Sequence, residues 1–500
     1  MSDGVSLSGD VGGYINGHDR NQTLLLPEVL DRYVAEDNEA RFIDAFVDSL
    51  NLEELGFTRS QPNREGRPPY NPGDMLKLFI WGYLNQIRSS RKLERECHRN
   101  LEVIWLMKKL APDFKTIADF RKDNADCVKS VFKQFIYFLE NMDLFGGNLV
   151  SIDGSKFKAV NANKRNFNTK RLADRLKRIE EKTEKYLREM EENDRNSVKE
   201  EAEARALLLK RKKYLGEKLE KLEKRMQELK EISKRLKESG QSEISLTDPD
   251  SRLMINNGKF EVCYNVQTSV DDKNKLIADY DVVNEPSDAN QLNRMAKSTK
   301  EALHADRLEV LSDTGYFNGE EIKGCLENGI VPYVHEPPQK TTISMMGVPE
   351  REFYKERFVY NDLRDTYTCP AGHEMSFLRL LRDNNRGKVC RVYATKECES
   401  CEFMGRCTRN KRGRPMYRWE HEKIIEEMRE RLKREPLKMA KRRELSEHPF
   451  GTIKRAFNQA YLLLKGLRKV KGEVGFTMLV YNMRRALNIL GVRTLLASLG

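Results

Sequence analysis

The sequence predicts an α/β protein, a mixed sheet interrupted by a coiled-coil-like helical hairpin and by a Cys-rich insert, with an all-α domain ahead of it. Three observations predict it. Strand-like apolar runs ("LVSID", "KFEVCYNVQTSV", "KLIADYDVV", "LEVLSDTGYF") alternate with helical stretches. Residues from about 165 to 240 are packed with Lys, Arg and Glu around apolar positions at alternating spacings of four and three. Short amphipathic helices fill most of the first 145 residues.

Residues 1–24 are Gly- and Asp-rich and read as a loose start, and the helical domain spans 25–145. Its proline-rich loop "NREGRPPYNPGD" leads into a stretch whose apolar face alternates with one bearing Arg88, Arg91, Lys92 and Arg95. In "PDFKTIADFRKDN", Thr116 is the expected N-cap, with Asp119 three residues on and Arg121 and Lys122 following. Short helices joined by turns fit a helix-turn-helix-like unit; a solvated basic face on ordinary helices is the plainer alternative.

The sheet opens at 146–164, where an apolar strand ends in Asp153 with Lys156 and Lys158 just beyond. Asp-Gly is a strong turn signal and needs no chemistry. A strand end is equally a rigid place for a metal-binding carboxylate, with the lysines turned to a phosphate backbone. The segment 165–245 then reads as two antiparallel helical arms, with Leu172, Leu176 and Ile179 on one seam, Leu215, Leu219 and Leu222 on the other, and a break at "ENDRNS". The arms fit self-pairing or dimerisation, or a solvated spacer.

The sheet resumes over 246–340 with a hairpin, a helix and a strand ending in Asp313. "SIDGS" and "LSDTG" repeat one pattern, which weakens the turn explanation. On neighbouring strands the two carboxylates would repel each other unless divalent cations neutralised them, and a third ligand would complete a two-metal site.

Ninety Lys+Arg against 78 Asp+Glu give a net charge of +12, which points to a polyanionic partner with nucleic acid leading. The opening residues lack a signal peptide's basic start and apolar core, and no run of about eighteen apolar residues occurs, so a cytoplasmic protein without a membrane partner is expected. No Gly-x-x-x-x-Gly-Lys phosphate loop occurs, so no nucleotide is expected.

The ordered series "GRPPYNPGDMLKLFIWGYLNQIRSSRKLERECHRNLEVIWL", "PDFKTIADFRKDN", "SIDGSKFKAV", "TDPDSRLM", "YNVQTSVDD", "LSDTGYF" and "EHPFGTIKR" resembles a DDE transposase of a bacterial insertion sequence over nearly the whole chain. The resemblance implies a ribonuclease-H-like catalytic core and a nucleoid-associated bacterial protein. It also implies a third acid in a helical signature of Tyr, two residues, Arg, three residues, Glu, six residues, Lys. Here Arg443, Glu447 and Lys454 match and the tyrosine position is Ala440. Asp153, Asp313 and Glu447 would then hold two Mg²⁺ or Mn²⁺ ions, with Arg443 and Lys454 accessory. In-line attack by water or a DNA 3′-hydroxyl on phosphorus would cleave and join strands. The DNA contacts expected are Arg88, Arg91, Lys92, Arg95, Arg121, Lys122, Lys156 and Lys158. The expected partner is double-stranded DNA, both element terminal inverted repeats and target, gripped by a homodimer. A catalytically silent DNA-binding derivative, or a nuclease without strand transfer, stands as the alternative.

The segment 341–420 carries "CPAGH" and "CESCEFMGRC". Cys398, Cys401 and Cys407 have metal-ligand spacing, and with Cys369 they form a tetrathiolate suited to structural Zn²⁺. Cys390 or His373 could replace Cys369; a metal-free reduced cluster and, with Cys390, an iron-sulfur centre are the alternatives. Cys97, Cys127, Cys263 and Cys325 read as core thiols. The remaining 421–500 is helical, carries Glu447, and is expected to present Arg468, Lys469 and Lys471 outward.

Overall fold

The computed structural model describes residues 29–60, 69–161, 165–197, 202–337, 350–383 and 388–499. The loose start and part of the proline-rich loop lie outside them.

The central sheet is built on two long strands, Leu149–Lys158 and Lys259–Asp271, paired antiparallel from Val150–Asp271 to Lys158–Cys263. The strand Ile277–Val283 pairs antiparallel with Lys259–Asp271 as the expected hairpin, and Arg252–Asn256 joins the same strand. On the other side, Leu308–Ser312 runs parallel to the first strand and Ile330–Val334 parallel to that. Parallel neighbours need crossovers, here supplied by helix Leu292–Ala302 before the first of them and Gly319–Glu327 before the second. The first strand does not end at Asp153, as its Asp-Gly turn signal suggested. It continues to Lys158 because the antiparallel ladder carries it through Gly154, and the segment Ala460–Leu462 zips onto its far end through both backbone groups of Lys158.

The N-terminal helices share one apolar core with this sheet rather than forming a separate one. Helix Pro72–Leu84 is buried along its whole length. Even its Lys77 is inside, neutralised by Asp44 and Asp48 at 2.6 Å each. The C-terminal helix Leu467–Ala497, which kinks at Gly491, threads between the two layers. Its Asn482 side chain bonds both backbone groups of Ile277, at 2.8 Å each. Its Gly472 lies against Ala125, where a Cβ would stand 2.7 Å from the Ala125 carbonyl. The "TDPD" motif caps this helix: Asp248 accepts from Gly466 N–H and Asp250 from Leu467 N–H.

The hairpin consists of helices Thr169–Ser197 and Ala202–Ser239, with its own small core of Phe167, Leu172, Ile179, Leu229, Ile232 and Leu236. "ENDRNS" does not break the first arm. The arm stays helical through Ser197, and its Asn193 donates to the Leu208 carbonyl of the second arm at 3.0 Å. The Cys-rich segment forms a second, antiparallel sheet of five short strands between Val359 and Trp419.

Several expected DNA contacts are internal. Arg88 is 7% exposed and pairs with Glu473, itself 1% exposed, while donating to the Tyr461 carbonyl at 2.9 Å. Arg121 is 6% exposed and donates to Tyr83 Oη and the Arg88 carbonyl. Both therefore hold layers together and are unavailable to phosphate. The helix Phe114–Asp123 begins two residues before Thr116, with Asp113 as cap accepting from Lys115 and Thr116 N–H at 2.9 Å, because an ionised aspartate takes both donors. Arg468 and Lys471 are also engaged, with Asp126 and Asp281.

Arg88→Ala would leave the Glu473 carboxylate buried without its counter-charge, so a loss of about 3–5 kcal/mol is expected in denaturant unfolding. Alanine at Arg91, on the exposed face of helix Ser90–Arg99, should stay within about 0.5 kcal/mol of the parent. Equal midpoints for the two variants would contradict the internal role of Arg88.

Candidate active site

The parallel ladder between the first strand and Leu308–Ser312 joins Leu149 to Glu309, Val150 to Val310 and Ser151 to Leu311. Continued two residues further, the same offset sets Asp153 level with Asp313. The ladder has stopped by then, so the carboxylates stand in the notch where the strands part. Asp153 is a quarter exposed. It accepts from its neighbour Gly154 N–H at 2.7 Å and from the Ser446 hydroxyl. Asp313 caps its own short turn, Thr314–Tyr316, by accepting from Gly315 N–H at 2.8 Å. Burial first, and then the Asp313 charge, push the Asp153 carboxyl up to about 6.

Helix Pro436–Gly451 crosses these strands. Arg442 and Ser446, one turn apart, face Asp153: Arg442 Nη1 lies 4.0 Å from its Oδ2, and Ser151 Oγ donates to the Arg442 carbonyl. Arg443 and Glu447 lie on the adjoining, exposed face and pair with each other at 2.8 Å. The arginine beside the aspartates is thus Arg442, one position before the one the signature selects. Glu447 is held by Arg443, and among the described residues no group of three or more His, Cys, Asp or Glu side chains is placed to hold a metal ion.

Lys454 sits on a π-turn, Thr452–Ala456. Its Nζ donates to Ser155 Oγ at 2.6 Å and the Lys156 carbonyl at 3.0 Å, and burial lowers its pKa. It braces the first strand two residues past Asp153. Lys156 pairs with Asp288 and Lys158 with Glu261. Lys122 pairs with Asp119 and Asp123. Arg91, Lys92 and Arg95 are exposed on one helix, with Arg91 stacked over Phe114.

Gly154 faces the opposite side of the sheet from Asp153. A Cβ there would collide with Gln267 Nε2 and stand 2.8 Å from Asp288 Oδ1. Beneath it lies a polar cluster of Gln267, Asn265, Asp288 and Tyr316 that sequence reasoning missed. Its sequence signal was the pair of amides at 265 and 267, which alternate with Tyr264, Val266 and their apolar neighbours in the strand.

Cys369, Cys398, Cys401 and Cys407 line one pocket with His373, Phe353, Phe358 and Met375. The "CPAGH" turn is closed by Gly372 N–H to the Cys369 carbonyl and Cys369 N–H to the His373 carbonyl. Burial pushes the Cys407 thiol up, and neighbouring Cys398 and Cys369 add to the shift. Cys390 is not among the pocket's lining residues; it lies on strand Lys388–Ala394, paired with Trp419. His373 pairs with Glu397. Cys97, Cys127, Cys263 and Cys325 are buried thiols.

Because the Asp153 pKa is raised, the favourable term is complete below the unfolded value near 4 and is lost as pH rises through about 6. In chelator-treated protein, Asp153→Asn should therefore raise the thermal midpoint at pH 8, by an amount equivalent to on the order of 1–3 kcal/mol, and change little at pH 4. A lowered midpoint at pH 8 would show that the acid is not under charge stress.

A transposase domain model (DUF772) matches residues 28–123, and a transposase DDE domain model matches 368–487. The second covers Glu447 and the four clustered cysteines; the two aspartates lie between the matches. No curated protein matches the chain. Among solved structures, the piggyBac transposase synaptic complex with hairpin DNA aligns over 93% of this chain and 79% of its own, at 8% identity and a TM-score of 0.31. The two domain matches support a DDE transposase.

Proposed function

We propose that the chain binds the ends of a mobile element and catalyses metal-dependent cleavage and joining of DNA strands at Asp153, Asp313 and Glu447. The observation that carries this reading is the level pair of aspartates in the strand notch, one of them driven toward neutrality by burial and by the other. Such a pair fits divalent cations, which supply charge neutralisation and an activated oxygen nucleophile when bound. Asp153 and Asp313 would hold them from the sheet, and Glu447 would join by leaving Arg443 and turning over the notch. Arg442 faces the place where phosphate charge would gather. The reading of the core as ribonuclease-H-like is supported by its six-stranded sheet, four strands joined by antiparallel pairing and continued by two parallel ones.

Arg91, Lys92 and Arg95 are the exposed cations of the N-terminal helices best suited to a DNA backbone, and a dimer is proposed because two element ends must be joined. The four clustered cysteines are proposed to take structural Zn²⁺ once their thiols ionise, stapling a sheet that has, among the described residues, a small core cluster of five buried side chains.

Asp153→Asn, Asp313→Asn and Glu447→Gln are each expected to abolish Mg²⁺-dependent cleavage and joining of terminal-repeat DNA while leaving end binding intact. Alanine at Arg91, Lys92 and Arg95 together should weaken that binding and flatten its salt dependence. Full cleavage by Glu447→Gln alone would pass the third role to another acid of the helix, Glu444 first. Cleavage without joining in the parent would leave a nuclease.

Cys398→Ser and Cys401→Ser are expected to lose bound zinc and soluble yield together, read by elemental analysis of purified protein. A stable parent with no metal, or one with iron and sulfide, would overturn the zinc assignment.

A further inference from the structure

Asp313 stands past the last rung of its ladder, so backbone pairing does not fix its distance from Asp153. Something else must, since it sits on the short turn Thr314–Tyr316, a segment of three residues.

Tyr316, at the end of that turn, is 1% exposed and reaches under the sheet to donate its hydroxyl to Gln267 Oε1. Gln267 is the cross-strand partner of Gly154 and is fully buried. Its amide nitrogen donates to Asp288 at 2.7 Å and to Asn265 Oδ1 at 3.0 Å. Asp288 also accepts from Asn265 at 2.6 Å and from Lys156 at 3.2 Å. The contacts form one chain that starts on Lys156, three residues after Asp153, and ends on Tyr316, three residues after Asp313. The partners orient the amide: its nitrogen donates to Asp288 and Asn265 Oδ1, leaving the oxygen to accept from the tyrosine. Gly154 is required directly above, where any side chain would displace the Gln267 amide.

We propose that Lys156, Asp288, Gln267 and Tyr316 are positioning residues, a polar clamp that fixes the Asp313 turn against the first strand and so sets the spacing of the two aspartates for divalent cations. This rests on the reading of those aspartates as metal ligands. Residues one contact behind metal ligands commonly change metal affinity by roughly 10–100-fold when altered. A buried amide satisfied at both ends holds its neighbours to one geometry more strictly than apolar packing does.

The test uses the full-length protein and Mn²⁺ as the probe, with binding read by electron paramagnetic resonance and folding by thermal unfolding. Tyr316→Phe removes one hydroxyl and keeps the buried ring; it should weaken Mn²⁺ binding about tenfold and raise the Mg²⁺ concentration for half-maximal DNA cleavage in parallel. Gln267→Glu places a second acid against Asp288 and should weaken binding further. The exchange Gln267→Glu with Asp288→Asn restores a donor facing an acceptor and should recover most of that loss. Parent-like Mn²⁺ affinity in folded Tyr316→Phe would overturn the clamp, as would an exchange variant no better than Gln267→Glu, an arm that decides the matter even if Tyr316→Phe fails to fold. If Asp153→Asn binds Mn²⁺ as the parent does, the metal-site reading itself falls. If Asp153→Asn loses Mn²⁺ and Tyr316→Phe keeps it, only the clamp falls.

Discussion

The parallel pairing of the first strand with Leu308–Ser312 delivers Asp153 and Asp313, two carboxylates that would drift apart in water, to the same end of neighbouring strands. The strand offset sets them level, the crossing helix Pro436–Gly451 restricts solvent, and the raised Asp153 pKa is the measure of the resulting stress. The features around them make sense as responses. Ser446 donates to Asp153, Arg442 approaches without a close ion pair, and the Asp313 turn is tied down from below. Cations added by the protein itself would relax the pair and remove its capacity to attract others. The nearest lysines are instead occupied elsewhere, Lys156 by Asp288 and Lys454 by Ser155 Oγ and a backbone carbonyl.

The same economy applies to the charge of the whole chain. A net charge of +12 suggests a basic surface, yet several cations are structural. Lys77 neutralises two aspartates inside the helical layer, Arg88 joins that layer to the C-terminal helix, and Arg121 spans Tyr83 and the Arg88 carbonyl. Lys77 and Arg88 are buried cations held by carboxylates, the form in which burial is tolerable, whereas Arg121 is satisfied only through Nη1, its buried Nε having no partner. The cations left exposed are concentrated on particular elements, helix Ser90–Arg99 among them.

What was legible in the sequence followed from periodicity. The strand runs, the antiparallel hairpin at residues 259–283 and the two long arms all stand where apolar spacing put them. The aspartate pair was legible because two similar strand motifs ended alike. Periodicity is blind to which side chain of a charged helix turns inward. Arg442 and Arg443 are indistinguishable by composition, and a rotation of 100° per residue decides that one meets Asp153 and the other solvent. It is equally blind to long-range partners. Arg88 and Glu473 are 385 positions apart, and Tyr316 meets Gln267 across two strands. The extent of the first strand was misjudged for a related reason, since a local turn preference at Asp-Gly yields to a ladder of nine cross-strand pairs.

One apolar core runs from helix Glu39–Asp48 through the central sheet to helix Leu467–Ala497. Close-packed interiors transmit displacement rather than absorb it, so the separation between the exposed cations of helix Ser90–Arg99 and the aspartate notch is a constant of the fold. For a duplex gripped at both places the protein would act as a ruler. Each base pair inserted between the grip and the scissile phosphate would shift that phosphate about 3.4 Å along the axis and roughly a tenth of a turn around it. Whatever tolerance exists for spacing between the two must then come from the DNA, or from the two-helix arm, which keeps a small core of its own.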